Sequence, residues 1–226
     1  PMLDIEEIWE LEDVREEAQR PLVHTMYLNE YELGFDARSN TFYCTLGENC
    51  EEWPALSLRA DGKERPRVVR VDDYAYDHPK DAVREGYGYQ LFAYTEKEYA
   101  YFNIVFTGLP IVTLHVGDGL SIGEEYIPVR ATVFGQGFDA IDSAAMVHTR
   151  GGGFGKPIDK ESYRVEFHAT NGKGTDKKAK VSVLGMEADS DWLLLSNAQD
   201  PKSVCNYMAF DMWKKWNPDG AFTVLD

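Results

Sequence analysis

The sequence predicts a β-rich α+β protein with an acidic N-terminal helix, a β-sandwich module, and a second set of antiparallel strands that ends in one helix. Short aromatic and β-branched runs recur about every ten residues, which is typical of strands in a sandwich. Helical patterns are confined to the two ends of the chain, and Gly108-Leu109-Pro110 separates the two series of strands. With 226 residues, 43% of them hydrophobic, the chain is long enough to form two cores.

Residues 1–21 are predicted to form an acidic helical arm. Between Asp4 and Gln19 the chain carries eight acidic side chains and one basic one, and apolar residues recur there near the period of a helix. Pro21 follows this stretch and ends it. A solvated helix that packs Trp9 on the next module is favoured over a helix that binds a partner.

Residues 22–107 are predicted to form the β-sandwich, because strand-like runs alternate there with polar turns. The seven candidate strands are 26–28, 32–36, 40–43, 55–58, 67–71, 89–94 and 99–106.

Residues 108–226 are predicted to form the second module. Its candidate strands are 111–116, 126–134, 144–149, 163–168, 179–184 and 192–196. Asp200 and Pro201 then predict the start of a helix that reaches about Trp216 and ends before Asn217-Pro218.

Charge and hydropathy exclude two classes of partner. The 39 acidic and 23 basic residues leave a net charge of −16, with no local basic stripe to bind the phosphates of a nucleic acid. The richest apolar stretch, Tyr101 to Val116, is interrupted by polar residues and Pro110, so no membrane span is expected. The first residues have neither the basic nor the apolar region of a signal peptide, which is therefore predicted to be absent or removed.

Metal, disulfide and hydrolase chemistry have weak support. The five histidines lack ligand spacing, and neither an HExxH nor a CxxC motif is present, so no metal site is expected. Cys44 and Cys50 are close enough in sequence to form a disulfide across a short loop. Because the third cysteine, Cys205, makes the number odd, the sequence does not decide whether this disulfide forms. A carboxylate-based hydrolase rests only on acid pairs such as Asp72-Asp73, which an acidic chain produces by chance.

Two local patterns have competing structural and functional interpretations. The segment Arg150 to Pro157 is rich in glycine and flanked by cations, but it lacks Walker A spacing, which favours a hairpin turn over a phosphate loop. The aromatic residues of the first module can form a sugar-stacking platform, although core packing explains most of them. They include Trp53, Tyr74, Tyr76, Tyr87 and Tyr89.

The order of motifs in the second module resembles that of one protein family. The motifs are Leu109-Pro110-Ile111-Val112, Glu-Glu-Tyr-Ile-Pro-Val at 124–129, Arg150-Gly151, Lys160 to Phe167, Asp191 to Asn197, Asp200, and Asn206 to Asp211. In this order they are similar to the N-terminal part of the CotH family, atypical secreted protein kinases of bacterial spore coats. The similarity spans about half the chain, from Leu109 to Pro218.

The resemblance implies that residues 108–226 form a kinase-like N-terminal lobe that helps to hold ATP and Mg²⁺. The family transfers the γ-phosphoryl group to Ser or Thr of extracellular or coat proteins, a reaction that depends on positioning and charge neutralisation. The implied location is extracellular, on the cell surface or in the spore coat. The residues that match the family's nucleotide side are Arg150, Lys160, Arg164, Asp200 and Asn206.

Departures from the family pattern predict weak ATP binding. This chain has Gly153, Glu161 and Cys205 where the family favours Ser, Lys and Arg. The family's catalytic and metal-binding aspartates would follow Asp226, so no catalytic residue is assigned and the chain is expected to be inactive by itself. The alternative is a non-enzymatic extracellular module that binds a glycan or a protein, with a degenerate kinase-like lobe.

Overall fold

A computed structural model of the chain describes residues 3–59, 65–71, 76–150, 161–169, 177–196 and 204–216. It confirms a β-rich α+β fold. The chain divides into two compact units. The first contains Pro1–Thr113 and Phe134–Phe138, and the second contains Leu114–Val133 and Asp139–Asp226.

The elements follow one another from α1 to α3. The first part of the chain contains α1 (Ile5–Asp13), β1 (Glu16–Glu17), β2 (Thr25–Leu28), β3 (Tyr31–Glu32), β4 (Gly34–Asp36), β5 (Thr41–Thr45), β6 (Leu56–Arg59), β7 (Arg67–Arg70), α2 (Pro79–Glu85), β8 (Gly88–Tyr94) and β9 (Glu98–Thr107). The remainder contains β10 (Ile111–Val116), β11 (Ile127–Phe134), β12 (Ile141–Arg150), β13 (Ser162–Ala169), β14 (Lys177–Lys178), β15 (Asp191–Leu194) and α3 (Val204–Trp216).

Two sheets of the first unit share one core. The larger sheet has the order β4-β5-β9-β8-β7, with β1 also paired to β9, and the smaller one has the order β3-β2-β6. Met26 from the smaller sheet and Phe42 from the larger one belong to the same buried cluster. The larger sheet is mixed, because β5 and β1 both run parallel to β9. This pairing departs from a purely antiparallel sandwich.

Helix α1 packs on the larger sheet through Ile8, whereas the sequence predicts an arm that packs Trp9 on the next module. Ile8 is fully buried in a cluster with Val69 and Phe92. The Tyr101 hydroxyl donates a hydrogen bond to Glu12 Oε1 at 2.9 Å. The helix is therefore part of the first unit, while Trp9, which is 56% exposed, lies on its outer side.

The predicted length of this first helix is wrong. Helix α1 begins with a capping box between Asp4 and Glu7 and ends at Asp13, not near Gln19. Arg15 donates from Nε to the Thr95 carbonyl oxygen at 2.6 Å, and its guanidinium lies over the Tyr94 ring. These tertiary contacts redirect the chain into β1, which pairs with β9.

Helix α2 was not predicted. It begins with Pro79 and ends at Glu85, and the following Gly86 caps it with a φ of 62°, the left-handed conformation that glycine adopts without strain. Pro79 and Ala82 are buried, and the hydrogen bond from Lys80 N to the Cys50 carbonyl oxygen, at 3.1 Å, ties the start of the helix to the preceding loop.

The second unit is built on one sheet of order β10-β11-β12-β13-β14, with β15 paired to β13. The β11–β12, β12–β13 and β13–β15 pairs are antiparallel. One face of this sheet forms a core that includes Val129, Ala145, Val147, Val165 and Phe167. The opposite face carries the polar residues considered below.

The strand predicted at 179–184 is wrong. This segment makes only an isolated bridge between Val181 and Asp189, and then turns through Leu184 and Gly185, which both have positive φ.

The predicted C-terminal helix is confirmed for Val204–Trp216 as α3. Its predicted cap, Asp200, lies outside the described residues. Within the described ranges, no helix has the length and hydropathy needed to cross a membrane.

Candidate functional site

The candidate site lies on the outer face of the second unit's sheet. Strand β13 alternates, so Val165 and Phe167 enter the core while Arg164 and Glu166 lie on the opposite face. Backbone register places Glu166 beside Asp191 of β15. The short β14 brings Lys178 to the same region, where it pairs with both carboxylates.

Arg164, Glu166, Lys178 and Asp191 form a four-charge cluster. Arg164 Nη2 lies 2.5 Å from Asp191 Oδ1, and Lys178 Nζ lies 2.9 Å from Asp191 Oδ2. Glu166 contacts the same two cations, at 3.4 Å from Arg164 and 3.3 Å from Lys178. Each cation therefore contacts both carboxylates, and these contacts limit the positions of the cationic groups.

Two neighbours orient the carboxylates of the cluster. The Tyr126 hydroxyl donates to Glu166 Oε1 at 2.6 Å, and the Tyr126 ring packs on His148 with 4.2 Å between ring centroids. The Ser190 hydroxyl donates to Asp191 Oδ2 at 3.1 Å. The carboxylates thus accept hydrogen bonds from neutral donors in addition to the two cations.

The cations are the exposed part of the cluster. The Arg164 and Lys178 side chains are 42% and 48% exposed, compared with 14% for Glu166 and 30% for Asp191. The side chains that carry the guanidinium and the ammonium are therefore more exposed to solvent than the two carboxylates. Both groups can donate hydrogen bonds to phosphate or carboxylate oxygens.

The contacts of the cluster favour its charged state. Hydrogen bonds from Arg164 first, and then from Lys178, hold the pKa of the Asp191 carboxyl well below its usual range. The same hydrogen bonds to Asp191 raise the pKa of Arg164 and of Lys178. Desolvation, and then the hydrogen bond to Glu166, raise the pKa of the Tyr126 hydroxyl, which keeps it protonated as a donor.

The structure describes part of the predicted ATP site. Arg150 is exposed at the end of β12. Because His148 pairs with Arg164 and Arg150 lies two positions further along the strand, Arg150 and Arg164 share one face of the sheet. Asn206 lies in α3. Lys160, Asp200 and the glycine-rich segment 151–155 lie outside the described residues.

The sequence motifs do not indicate Glu166, Lys178, Asp191 or Tyr126 as site residues. The alternation in β13 was a usable signal for Glu166, since that residue is two positions from Arg164. The other three come from separate segments, and only the β13–β14 and β13–β15 pairings bring Lys178 and Asp191 to Glu166.

A second ion pair in the same unit provides a natural comparison. Arg130 and Asp142 form a bidentate pair with N–O distances of 2.8 and 2.7 Å. Their side chains are 43% and 61% exposed. Arg130 is therefore as accessible as Arg164, whereas the Asp142 carboxylate is more exposed than the carboxylates of the cluster.

Among the described residues, no group of three or more His, Cys, Asp or Glu side chains could hold a metal ion.

The aromatic residues of the first unit mostly pack against one another. Tyr89 is buried and meets Tyr87, Trp53 and Phe106 edge to face, while Tyr76 meets Tyr87 in the same way. Trp53 remains 40% exposed. Tyr74 lies outside the described residues.

Comparison with protein-family models found no matching family, and comparisons with curated proteins and with solved structures found no match. The similarity to the CotH family therefore depends on the residues and motifs quoted above.

Acid should weaken the second unit through Asp191. Because the pKa of Asp191 is lowered in the folded protein, its contribution to the free energy of unfolding is present above its unfolded pKa of about 3.9 and is lost as pH falls below it. We expect the stability difference between the wild type and Asp191→Asn to be constant from about pH 5 to 7 and to shrink below about pH 4. Urea unfolding of both proteins from pH 3 to pH 7 measures this stability difference. An equal difference at pH 3 and at pH 7 would contradict this assignment.

Proposed function

We propose that the second unit is the nucleotide side of a CotH-like protein kinase and that the four-charge cluster contacts the phosphates of ATP. The observation that carries this proposal is the exposure of Arg164 and Lys178 above two more deeply placed carboxylates. Protein kinases use a comparable arrangement, in which a carboxylate holds the lysine that contacts the nucleotide phosphates. Arg164 is also one of the residues through which the sequence resembles the family.

The cluster favours weak ATP binding. Its two cations and two carboxylates carry no net charge when all four are ionised, and the whole chain carries −16. An incoming polyphosphate therefore gains hydrogen bonds from Arg164 and Lys178 while it meets the nearby carboxylates and an acidic protein. We propose Mg²⁺ as the counter-ion that ATP brings with it, and Ser or Thr of an extracellular or coat protein as the phosphoryl acceptor; both follow from the family resemblance.

Calorimetric titration with Mg-ATP tests the proposal. Arg164→Ala should weaken binding about tenfold, because a charge-assisted hydrogen bond to phosphate is lost. The matched variant Arg130→Ala removes an equally exposed arginine from the same sheet and should change the affinity less than twofold. Equal losses in the two variants, or no heat with the wild type, would refute phosphate binding at the cluster. Circular dichroism of each variant verifies that it is folded.

One observation favours a non-enzymatic function as the second candidate. Trp53 is 40% exposed although its ring is held by Tyr89 and Phe106, so it offers an anchored apolar surface on which a sugar ring can stack. Under this alternative, glycan-array binding should be lost in Trp53→Ala and retained in Arg164→Ala. The two candidate functions thus depend on different units and respond to different variants.

A further inference from the structure

Two cysteines of the first unit lie against the same core. Cys44, near the end of β5, is fully buried in that core, and the partly buried Cys50 packs against it. A hydrogen bond from Cys50 N to the Gly47 carbonyl oxygen, at 3.0 Å, closes a turn between them. The chain therefore folds back after β5 and returns Cys50 to the core that holds Cys44. Neither cysteine is in a disulfide in the structure, and the Cys50 thiol donates a hydrogen bond to the Glu52 carbonyl oxygen at 3.2 Å.

We propose that Cys44 and Cys50 form a reversible thiol pair, which a small-molecule disulfide such as glutathione disulfide oxidises to a bond across residues 44–50. The overall reaction joins the two sulfur atoms and converts one glutathione disulfide into two molecules of glutathione. The protein loses two electrons and two protons, and both are accounted for in the two glutathione thiols.

The difference in burial sets the order of the two steps. Cys50 is the more accessible thiol, so its thiolate attacks glutathione disulfide, forms a mixed disulfide and releases the first glutathione. The Cys44 thiolate then attacks Cys50 Sγ and releases the second. Burial and the nearby Cys50 raise the pKa of the Cys44 thiol to about 12, so this second step should be slow at neutral pH and faster as pH rises.

Oxidation would also stabilise the loop that contacts α2. The Cys50 carbonyl accepts a hydrogen bond from Lys80 N, Glu51 forms an ion pair with Lys80, and the Glu51 carboxylate lies 3.3 Å from His78 Nδ1 at the start of α2. A bond between Cys44 and Cys50 would connect these contacts covalently to β5. Because a disulfide restricts the unfolded chain, we expect the oxidised protein to melt several degrees higher than the reduced protein.

Mass spectrometry of the native chain in glutathione buffers tests the pair. The Cys205→Ser variant removes the third cysteine, and trypsin releases both remaining cysteines in one peptide, residues 39–59. After oxidation, acid quenching and alkylation, this peptide should be two hydrogen atoms lighter than the reduced form and carry no alkyl group. With Cys44→Ser added, the reaction should stop at glutathionylated Cys50; with Cys50→Ser added instead, Cys44 should remain unmodified until the protein is denatured.

Three outcomes would overturn the proposal. The first is a native Cys205→Ser protein that still remains a dithiol or stops at the mixed disulfide after long incubation at a pH of about 9, where the second step is faster. The second is a bond that forms only in urea, which would show that the folded chain keeps the sulfur atoms apart. The third is modification of native Cys44 in the Cys50→Ser variant at the rate seen for Cys50. Because Cys50→Ser leaves the buried Cys44 in place, the experiment with the Cys50→Ser variant remains informative if the Cys44→Ser variant does not fold.

Discussion

Phe92→Ala should lower the free energy of unfolding of the first unit by about 3–5 kcal/mol, the range for removal of a buried aromatic ring. Phe92 is fully buried in the cluster that contains Ile8 of α1. Its ring centroid lies 5.1 Å from that of Tyr101 and 5.6 Å from those of Tyr94 and Tyr99. The cavity would therefore remove both the packing that holds α1 and the contacts among these rings.

Urea unfolding and hydrogen exchange of residues 5–13 measure the two consequences. Phe138→Ala is the matched control, because Phe138 belongs to the same unit and is 41% exposed. We expect the control to cost less than about 1 kcal/mol and to leave exchange in α1 unchanged. Similar losses in the two variants, or full protection of α1 in Phe92→Ala, would show that α1 does not depend on this cluster.

Asp191→Asn should have opposite effects on stability and on ATP binding. The amide keeps the shape of the carboxylate but removes the charge that contacts both Arg164 and Lys178. We expect the free energy of unfolding of the second unit to fall by about 1–2 kcal/mol at pH 7, a value reduced for the partial exposure of these groups. Mg-ATP should meanwhile bind about threefold more tightly, because Glu166 still contacts both cations and the cluster then carries a net positive charge.

Asp142→Asn is the matched control for this prediction. It removes the charge that pairs with Arg130 in the same sheet, and it changes the net charge of the chain by the same amount as Asp191→Asn does. Calorimetry should show little change in ATP affinity for the control. If Asp191→Asn lowers both stability and ATP affinity, the carboxylate is needed to position the cations and local charge neutralisation does not limit the affinity. If both variants bind Mg-ATP more tightly by the same factor, the net charge of the chain determines the affinity and the cluster does not.

Local patterns predicted most strands but not their partners. The alternating residues of β9 and β13 predicted both strands, because one face of each is buried. The parallel pairing of β5 with β9 joins residues about sixty positions apart, for example Thr41 with Asn103, and no local pattern encodes such a register. The early end of α1 has the same cause, since the contact of Arg15 with Thr95 depends on the folded sheet.

In helix α2 and in the segment at 179–184, local sequence signals and the folded structure differ. Pro79 and Gly86 are ordinary start and stop signals, but the helix Pro79–Glu85 is only seven residues long and falls between strands β7 and β8. At 179–184 the alternating Val181 and Val183 suggested a strand, whereas the turn at Leu184 and Gly185 leaves only an isolated bridge.

The candidate site could be predicted only in part. The family resemblance selected Arg164, and alternation in β13 would place Glu166 on the same face. Lys178 and Asp191 lie in short strands whose positions depend on pairing with β13. A charge cluster assembled from three strands therefore becomes visible only when the register is known.

The most direct test of phosphate binding at the four-charge cluster is an NMR titration of the wild-type chain with Mg-ATP, following backbone amides and arginine side-chain Nε–H signals. We expect progressive shifts of the Arg164 Nε–H and of the amides of β13–β15, while the Arg130 Nε–H and the first unit stay unchanged. Shifts confined to other residues, or none at millimolar Mg-ATP, would contradict the proposal that this face holds the nucleotide phosphates.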